Sequence, residues 1–105
     1  MKGNKVNMKA PLIAMCAICG KPKNEQVFEY MKMLKENKIE QAMLYPRAGC
    51  ELEYLSDEWF ETIGCFITSA KKLDMNIWLY DEFNFPSGNA NGIVTAVDEY
   101  RLKYI

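Results

Sequence analysis

The sequence predicts an α/β fold in which three parallel strands are joined by two crossover helices. Three short apolar runs begin near residues 12, 41 and 77, and proline or glycine follows soon after each of the first two. Such runs are typical of buried strands in parallel sheets. Two amphipathic segments separate them, giving a repeat of roughly 30–35 residues, the length of a βα unit. The element order is therefore β-α-β-α-β, with right-handed connections.

The composition favours one globular domain and argues against several functional classes. The chain has 105 residues, half of them apolar, and a formal net charge of −1. This charge gives no indication of binding to nucleic acid or to an acidic membrane surface. No apolar run approaches the roughly 20 residues of a membrane span. Histidine is absent, which excludes Ser-His and Cys-His nucleophiles and histidine metal ligands within this chain.

The first ten residues are lysine-rich and predict an irregular, solvated lead-in. The apolar run at residues 12–19 resembles the core of a secretory signal, but no small-residue cleavage site follows it, and Lys21 comes soon afterwards. A buried first strand explains this run better. We divide the chain into the lead-in at 1–10, a βαβαβ unit at 11–88, and a loop with a short exit segment at 89–105.

The first helix is predicted to begin after Asn24, a good capping residue, and to stop at Asn37, a residue that tolerates the left-handed conformation. Apolar side chains recur between them at helical spacing. They are Val27, Phe28, Met31 and Leu34. A second strand is predicted at 41–45, where Pro46 ends it.

The second helix is predicted to begin after the cap residue Ser56 and to run through a wide apolar stripe to two lysines that suit its C-terminal end. A tight turn at Asp74 then leads into a third strand at 77–80. The pattern weakens after Gly88. Residues 93–97 are compatible with a short strand, and residues 98–105 with a short helix or an exit segment.

Two neighbouring carboxylates, Asp81 and Glu82, directly follow the third strand, and Arg47 directly follows the second. The carboxyl ends of parallel strands meet at one edge of a sheet, where α/β proteins bind ligands. Adjacent residues of a strand point to opposite sides, so Asp81 and Glu82 do not form the carboxylate pair of a glycosidase. Binding of sugar hydroxyls or of a cation is the more reasonable role for them.

The four cysteines are expected to be reduced thiols, which indicates a cytoplasmic location. Cys16 and Cys19 have the C-x-x-C spacing, and Cys50 and Cys65 complete the set. A redox motif belongs at a helix N-terminus, whereas this one falls in or just after an apolar strand. Core packing therefore explains these residues better than redox chemistry or a metal site. We predict no metal and no cofactor.

Three segments carry a resemblance to a known family. They are Tyr-Leu-Ser-Asp-Glu-Trp-Phe at 54–60, Trp-Leu-Tyr-Asp-Glu at 78–82 and Phe-Pro-Ser-Gly at 85–88. With Pro46-Arg47, they resemble the opening of the catalytic (β/α)8 barrel in glycoside hydrolase family 106, the α-L-rhamnosidase-like proteins. The similarity runs from about residue 11 to the end of the chain.

The resemblance implies a partial barrel equivalent to the first three strands of a TIM barrel. It implies substrate-side roles for Arg47, Tyr80, Asp81 and Glu82, and it places the catalytic carboxylates on later strands that these residues do not include. We therefore predict a fragment or truncated homologue of a glycoside hydrolase that is inactive alone and carries part of a carbohydrate site. The alternative is a small α/β binding or structural module that forms homo-oligomers through its open sheet edges.

Overall fold

A computed structural model describes residues 12–83 and 87–101 of the chain, so the lead-in predicted at 1–10 lies outside the described residues. The principal elements follow the predicted β-α-β-α-β order. They are β1 Ala14–Ile18, α1 Asn24–Glu36, β2 Gln41–Pro46, α2 Asp57–Leu73 and β3 Asn76–Leu79. Two single-turn 3-10 helices follow, at Ser87–Asn89 and Asp98–Tyr100.

The three strands form one parallel sheet in the order β1-β2-β3. This confirms the α/β class, the parallel sheet and the two crossover helices. Met43 of β2 lies opposite Met15 of β1 and Trp78 of β3. Both crossovers step in the same direction across the sheet, and the two helices pack against each other, so both cover the same face. This is the arrangement that two right-handed connections produce.

The core lies between the helices and this covered face. Along β2, buried residues alternate with half-buried ones, so Ala42 and Leu44 point towards the helices and are 0% and 1% exposed. Met31 of α1 is fully buried over them. The largest contributions from the second helix come from Trp59 and Phe66. The alternation along β2 thus separates a covered face from an open one.

The helix ends follow the predicted residues with small shifts. Ser56 caps α2 and accepts a hydrogen bond of 3.2 Å from the backbone N–H of Trp59, as expected. The cap of α1 is Lys23 rather than Asn24. The prediction for Asn24 was wrong because its side chain accepts a hydrogen bond from the Cys65 thiol instead. The left-handed residue after α1 is Lys38, with φ 61°, rather than Asn37.

The strand predicted at 93–97 is wrong. This segment forms consecutive turns, in which the N–H of Ile93 bonds to the carbonyl of Ala90 and that of Ala96 to Gly92. Left-handed conformations at Asn91 and Gly92 start the turns and prevent an extended chain. The exit segment is a single 3-10 turn as far as residue 101. No helix in 12–83 or 87–101 has both the length and the apolarity needed to cross a bilayer.

Candidate functional site

The carboxyl ends of β2 and β3 lie side by side. We call this end of the sheet, where the strands finish, its carboxyl edge. Leu44 pairs with Leu79, and the N–H of Tyr80 still donates to the carbonyl of Leu44 at 2.9 Å, one residue beyond the end of β3. The rings of Tyr45 and Tyr80 consequently meet edge to face, with centroids 5.9 Å apart. Tyr80 is therefore held in place by its backbone and by its ring.

The side chain of Glu82 folds back towards the strand that precedes it. Its Oε2 accepts a hydrogen bond of 2.7 Å from the hydroxyl of Tyr80. This bond, followed by the negative charge of Glu82, raises the pKa of Tyr80, because both favour the protonated phenol. Tyr80 and Glu82 thus form one polar unit that presents a phenol ring, a hydroxyl and a carboxylate at the sheet edge.

Asp81 stands between Tyr80 and Glu82 in the sequence, and the alternation of neighbouring side chains predicts that it lies on the opposite side of the chain. Its side chain is exposed, while its backbone carbonyl accepts a hydrogen bond of 3.0 Å from the hydroxyl of Tyr54. Tyr54 is 8% exposed and packs against the rings of Trp59 and Phe83. Burial, followed by the charge of Asp81, raises the pKa of Tyr54. The buried tyrosine therefore fixes the start of the loop after β3.

Sequence reasoning gave Tyr54 no role at the site. It lies 27 residues from Asp81 along the chain, so their hydrogen bond depends on the fold rather than on a local pattern. A tyrosine beside the helix cap, within the segment that carries the family resemblance, was the only available signal.

Arg47 follows the last residue of β2 and lies at the same sheet edge, as predicted. Its carbonyl accepts a hydrogen bond of 2.9 Å from the N–H of Cys50, and Gly49 between them has φ 89°. This turn leaves the side chain exposed. Across residues 12–83 and 87–101, its guanidinium group forms no ion pair, and neither Asp81 nor Glu82 lies within ion-pair distance of it. The sheet edge thus offers separate donor and acceptor groups.

The face of the sheet opposite the helices is apolar and open. One row across the strands consists of Met15, Met43 and Trp78, and the next contains Ala17 and Tyr45. Met15 is 55% exposed and Trp78 is 49% exposed. We call the side chains that point away from the helices, from Met15 through Tyr80, the open sheet face. The Tyr80–Glu82 unit lies where this face meets the carboxyl edge.

A cleft of about 530 Å³ lies beside β1 and contains the C-x-x-C pair. Cys16 is half-buried, and Cys19 is exposed, so the prediction of core packing is right for Cys16 and wrong for Cys19.

The spacing of the two cysteines does not suit a disulfide. Three residues of extended chain span about 10 Å, beyond the roughly 7 Å between Cα atoms that a disulfide allows. Burial raises the pKa of the Cys16 thiol, and burial together with Cys16 raises that of Tyr30 to about 12. The pair therefore lacks the geometry of a dithiol redox site.

No group of three or more cysteine, aspartate or glutamate side chains that could hold a metal ion occurs in the described part of the chain. No protein-family model, no curated protein and no solved structure matches this sequence. The resemblance to glycoside hydrolase family 106 accordingly stays a prediction.

Proposed function

We propose that this chain is a glycoside-hydrolase-like unit, equivalent to the first three strands of a (β/α)8 barrel, that binds a carbohydrate without hydrolysing it alone. The observation that carries the proposal is the Tyr80–Glu82 unit at the carboxyl edge of a parallel sheet, with Arg47 beside it. Barrel enzymes bind their substrates at this edge.

The barrel interpretation is supported by what lies on each face of the sheet. In a (β/α)8 barrel the helices form the outer ring and the inward side chains of the strands form layers. Here both helices lie on one face, while Met15, Met43 and Trp78 form a row on the other. These side chains correspond to interior side chains of a barrel whose remaining strands would come from elsewhere. Because each layer draws on alternate strands, Met15 and Trp78 would share one layer and Met43 would belong to the next.

The chemistry of the edge suits a neutral sugar. The Tyr80 ring offers an apolar surface to a sugar face, and the Glu82 carboxylate accepts hydrogen bonds from hydroxyl groups. The exposed guanidinium of Arg47 offers a fork of donors to the ring or hydroxyl oxygens. The family resemblance makes L-rhamnosides the leading ligand class. Hydrolysis would also need an acid and a base on opposite sides of the bond, and the adjacent Asp81 and Glu82 do not provide them.

A titration of ¹⁵N-labelled protein with methyl α-L-rhamnoside, followed by backbone amide shifts, tests this proposal. Binding at the site shifts the amides of residues 45–47 and 80–83 while those of α1 stay unchanged. Glu82→Gln keeps the size of the side chain and removes its charge, so it weakens binding. Glu99→Gln, in the exposed 3-10 turn, is the matched control that leaves binding unchanged.

A wild-type protein whose amides do not respond to rhamnosides, or to a panel of other glycosides, contradicts the carbohydrate proposal. A response confined to the cleft beside β1 would contradict the assigned site while preserving a sugar-binding function.

A second candidate function is a small α/β module that associates with a partner. The observation that favours it is the open sheet face, where large apolar side chains remain about half exposed. Isolated surface apolar residues are ordinary, but a contiguous patch on a sheet marks an interaction surface.

A further inference from the structure

The open sheet face has the composition of an interface core rather than of a solvated surface. Its exposed members are Met15, Asn76, Trp78 and Tyr80, and its half-buried members are Ala17, Gln41, Met43 and Tyr45. None of them is charged. Depletion of charge with enrichment of methionine, tryptophan and tyrosine is the pattern found at the centres of protein interfaces.

The face is organised for contact with a flat partner. Gln41 accepts a hydrogen bond of 3.0 Å from the indole N–H of Trp78, which satisfies the polar atom of the largest exposed ring. Tyr80 is held against Tyr45 by their edge-to-face contact. The rows Met15–Met43–Trp78 and Ala17–Tyr45–Tyr80 therefore form a surface of mostly large side chains that a second sheet can cover at about 10 Å.

The exposed area of this face can be compared with the area that a dimer interface needs. Taking about 200 Å² for each large side chain, the exposed fractions of Met15, Trp78 and Tyr80 amount to roughly 290 Å² per chain. Two such faces contribute about 580 Å², and the half-buried members of the face add to this area, towards the ~1,000 Å² at which biological interfaces begin. The charged side chains at the carboxyl edge border the apolar face as a polar rim, and the rim adds to the area that a partner would bury.

The rim favours a second copy over a strongly charged partner. Arg47 carries one sign of charge and Glu82 carries the other, with no ion pair between them in the described residues. A two-fold interface places the same patch on both subunits, so a rim with both signs is self-complementary. A partner of one charge would match only half of this rim.

We propose that the open sheet face is the interface of a homodimer in which the sheets of two copies pack face to face. This inference rests on the second candidate function and names its partner, and it does not depend on sugar binding. It also implies that a second copy and a sugar compete for the Tyr80 ring, because that ring belongs both to the face and to the edge.

Sedimentation velocity of the full chain over a wide range of concentration tests the inference. The wild type is expected to sediment as a dimer that dissociates on dilution. Trp78→Glu and, independently, Met15→Glu place a charge in the interface and are each expected to raise the dissociation constant roughly thirtyfold or more, as at interface hot spots. Phe60→Glu is the matched control, because Phe60 is 56% exposed on α2, on the helical side of the sheet.

Tryptophan fluorescence supplies a second measurement. Trp59 is 5% exposed in the single chain, whereas Trp78 is 49% exposed, so dimer formation shifts the emission to shorter wavelength through Trp78 alone. Circular dichroism confirms that each variant is folded. A wild type that stays monomeric at all concentrations overturns the homodimer, whereas the association function itself fails only if the open sheet face also binds no other protein. A dimer that Phe60→Glu disrupts and Trp78→Glu and Met15→Glu do not overturns the assigned face while leaving association intact.

Discussion

The hydroxyl group of Tyr80 donates a hydrogen bond of 2.7 Å to Oε2 of Glu82 at the carboxyl edge of the sheet. The two side chains come from alternate residues, so they lie on the same side of the extended chain that leaves β3. The bond joins an aromatic ring on the open sheet face to a carboxylate at the proposed sugar site.

Glu82→Gln is expected to lower the pKa of Tyr80 towards that of a free tyrosine. Both of the largest causes of the raised pKa, the hydrogen bond and the negative charge, come from Glu82. Because the folded-state pKa is raised, the contribution of this bond to stability is present below the ordinary pKa of tyrosine and is lost as the pH rises through the raised one. Carbon-13 NMR of ring-labelled tyrosine measures the pKa residue by residue. Glu99→Gln is the control, and a Tyr80 pKa that Glu82→Gln leaves unchanged contradicts the assignment.

Tyr54→Phe is expected to loosen the start of the loop after β3. The substitution removes the hydrogen bond of 3.0 Å to the carbonyl of Asp81 and keeps the ring contacts with Trp59 and Phe83. A hydrogen bond of this kind stabilises the fold by about 1 kcal/mol. Urea unfolding measures that loss, and amide hydrogen exchange at residues 80–83 reports the local effect. Tyr100→Phe, at a 65% exposed position, is expected to change neither.

Met31 and Met33 provide a matched pair for testing the helix–sheet core. Both belong to α1, but Met31 is 0% exposed, and Met33 is 47% exposed. Met31→Ala removes buried contacts and leaves a cavity, which costs about 2–5 kcal/mol, whereas Met33→Ala is expected to change stability by less than about 0.5 kcal/mol. Urea unfolding of both variants checks the difference. Equal effects would mean that α1 presents another face to the sheet.

The arrangement of these elements could be predicted from sequence because local patterns determine it. The apolar spacing of Val27, Met31 and Leu34 identifies the buried side of α1 without any tertiary information, and all three are buried. The bond between Tyr54 and Asp81 could not be predicted in this way, because it joins residues 27 positions apart. The strand expected at 93–97 failed for a related reason. Its β-branched residues suggest extension, but the left-handed backbone at Asn91 directs the chain into turns.

Asp74 is expected to be a site where glycine is better tolerated than alanine. It ends α2 in the left-handed conformation, with φ 54° and ψ 54°, which costs residues with a Cβ atom roughly 1–2 kcal/mol. Aspartate reduces this cost through local hydrogen bonding, whereas alanine does not. Asp74→Ala is therefore expected to be about 1 kcal/mol less stable than Asp74→Gly. Thermal unfolding of the two variants side by side measures the difference, and equal stabilities would argue against the left-handed turn.

Cys19 is expected to react with thiol reagents faster than Cys16, and the two are expected not to form a disulfide with each other. Cys19 is exposed, whereas Cys16 is half-buried, and burial raises its pKa, which lowers the fraction of reactive thiolate at neutral pH. Replacing Cys50 and Cys65 by serine leaves Cys16 and Cys19 as the only thiols, so the rate of thiol labelling then reports on this pair alone. In that background, Cys16→Ser should remove the slow phase of labelling, and Cys19→Ser should remove the fast phase. In urea both thiols should react at the same rate, because unfolding removes the difference in burial. Efficient closure of a Cys16–Cys19 disulfide under mild oxidation, with the fold retained by circular dichroism, would contradict the extended chain that separates them.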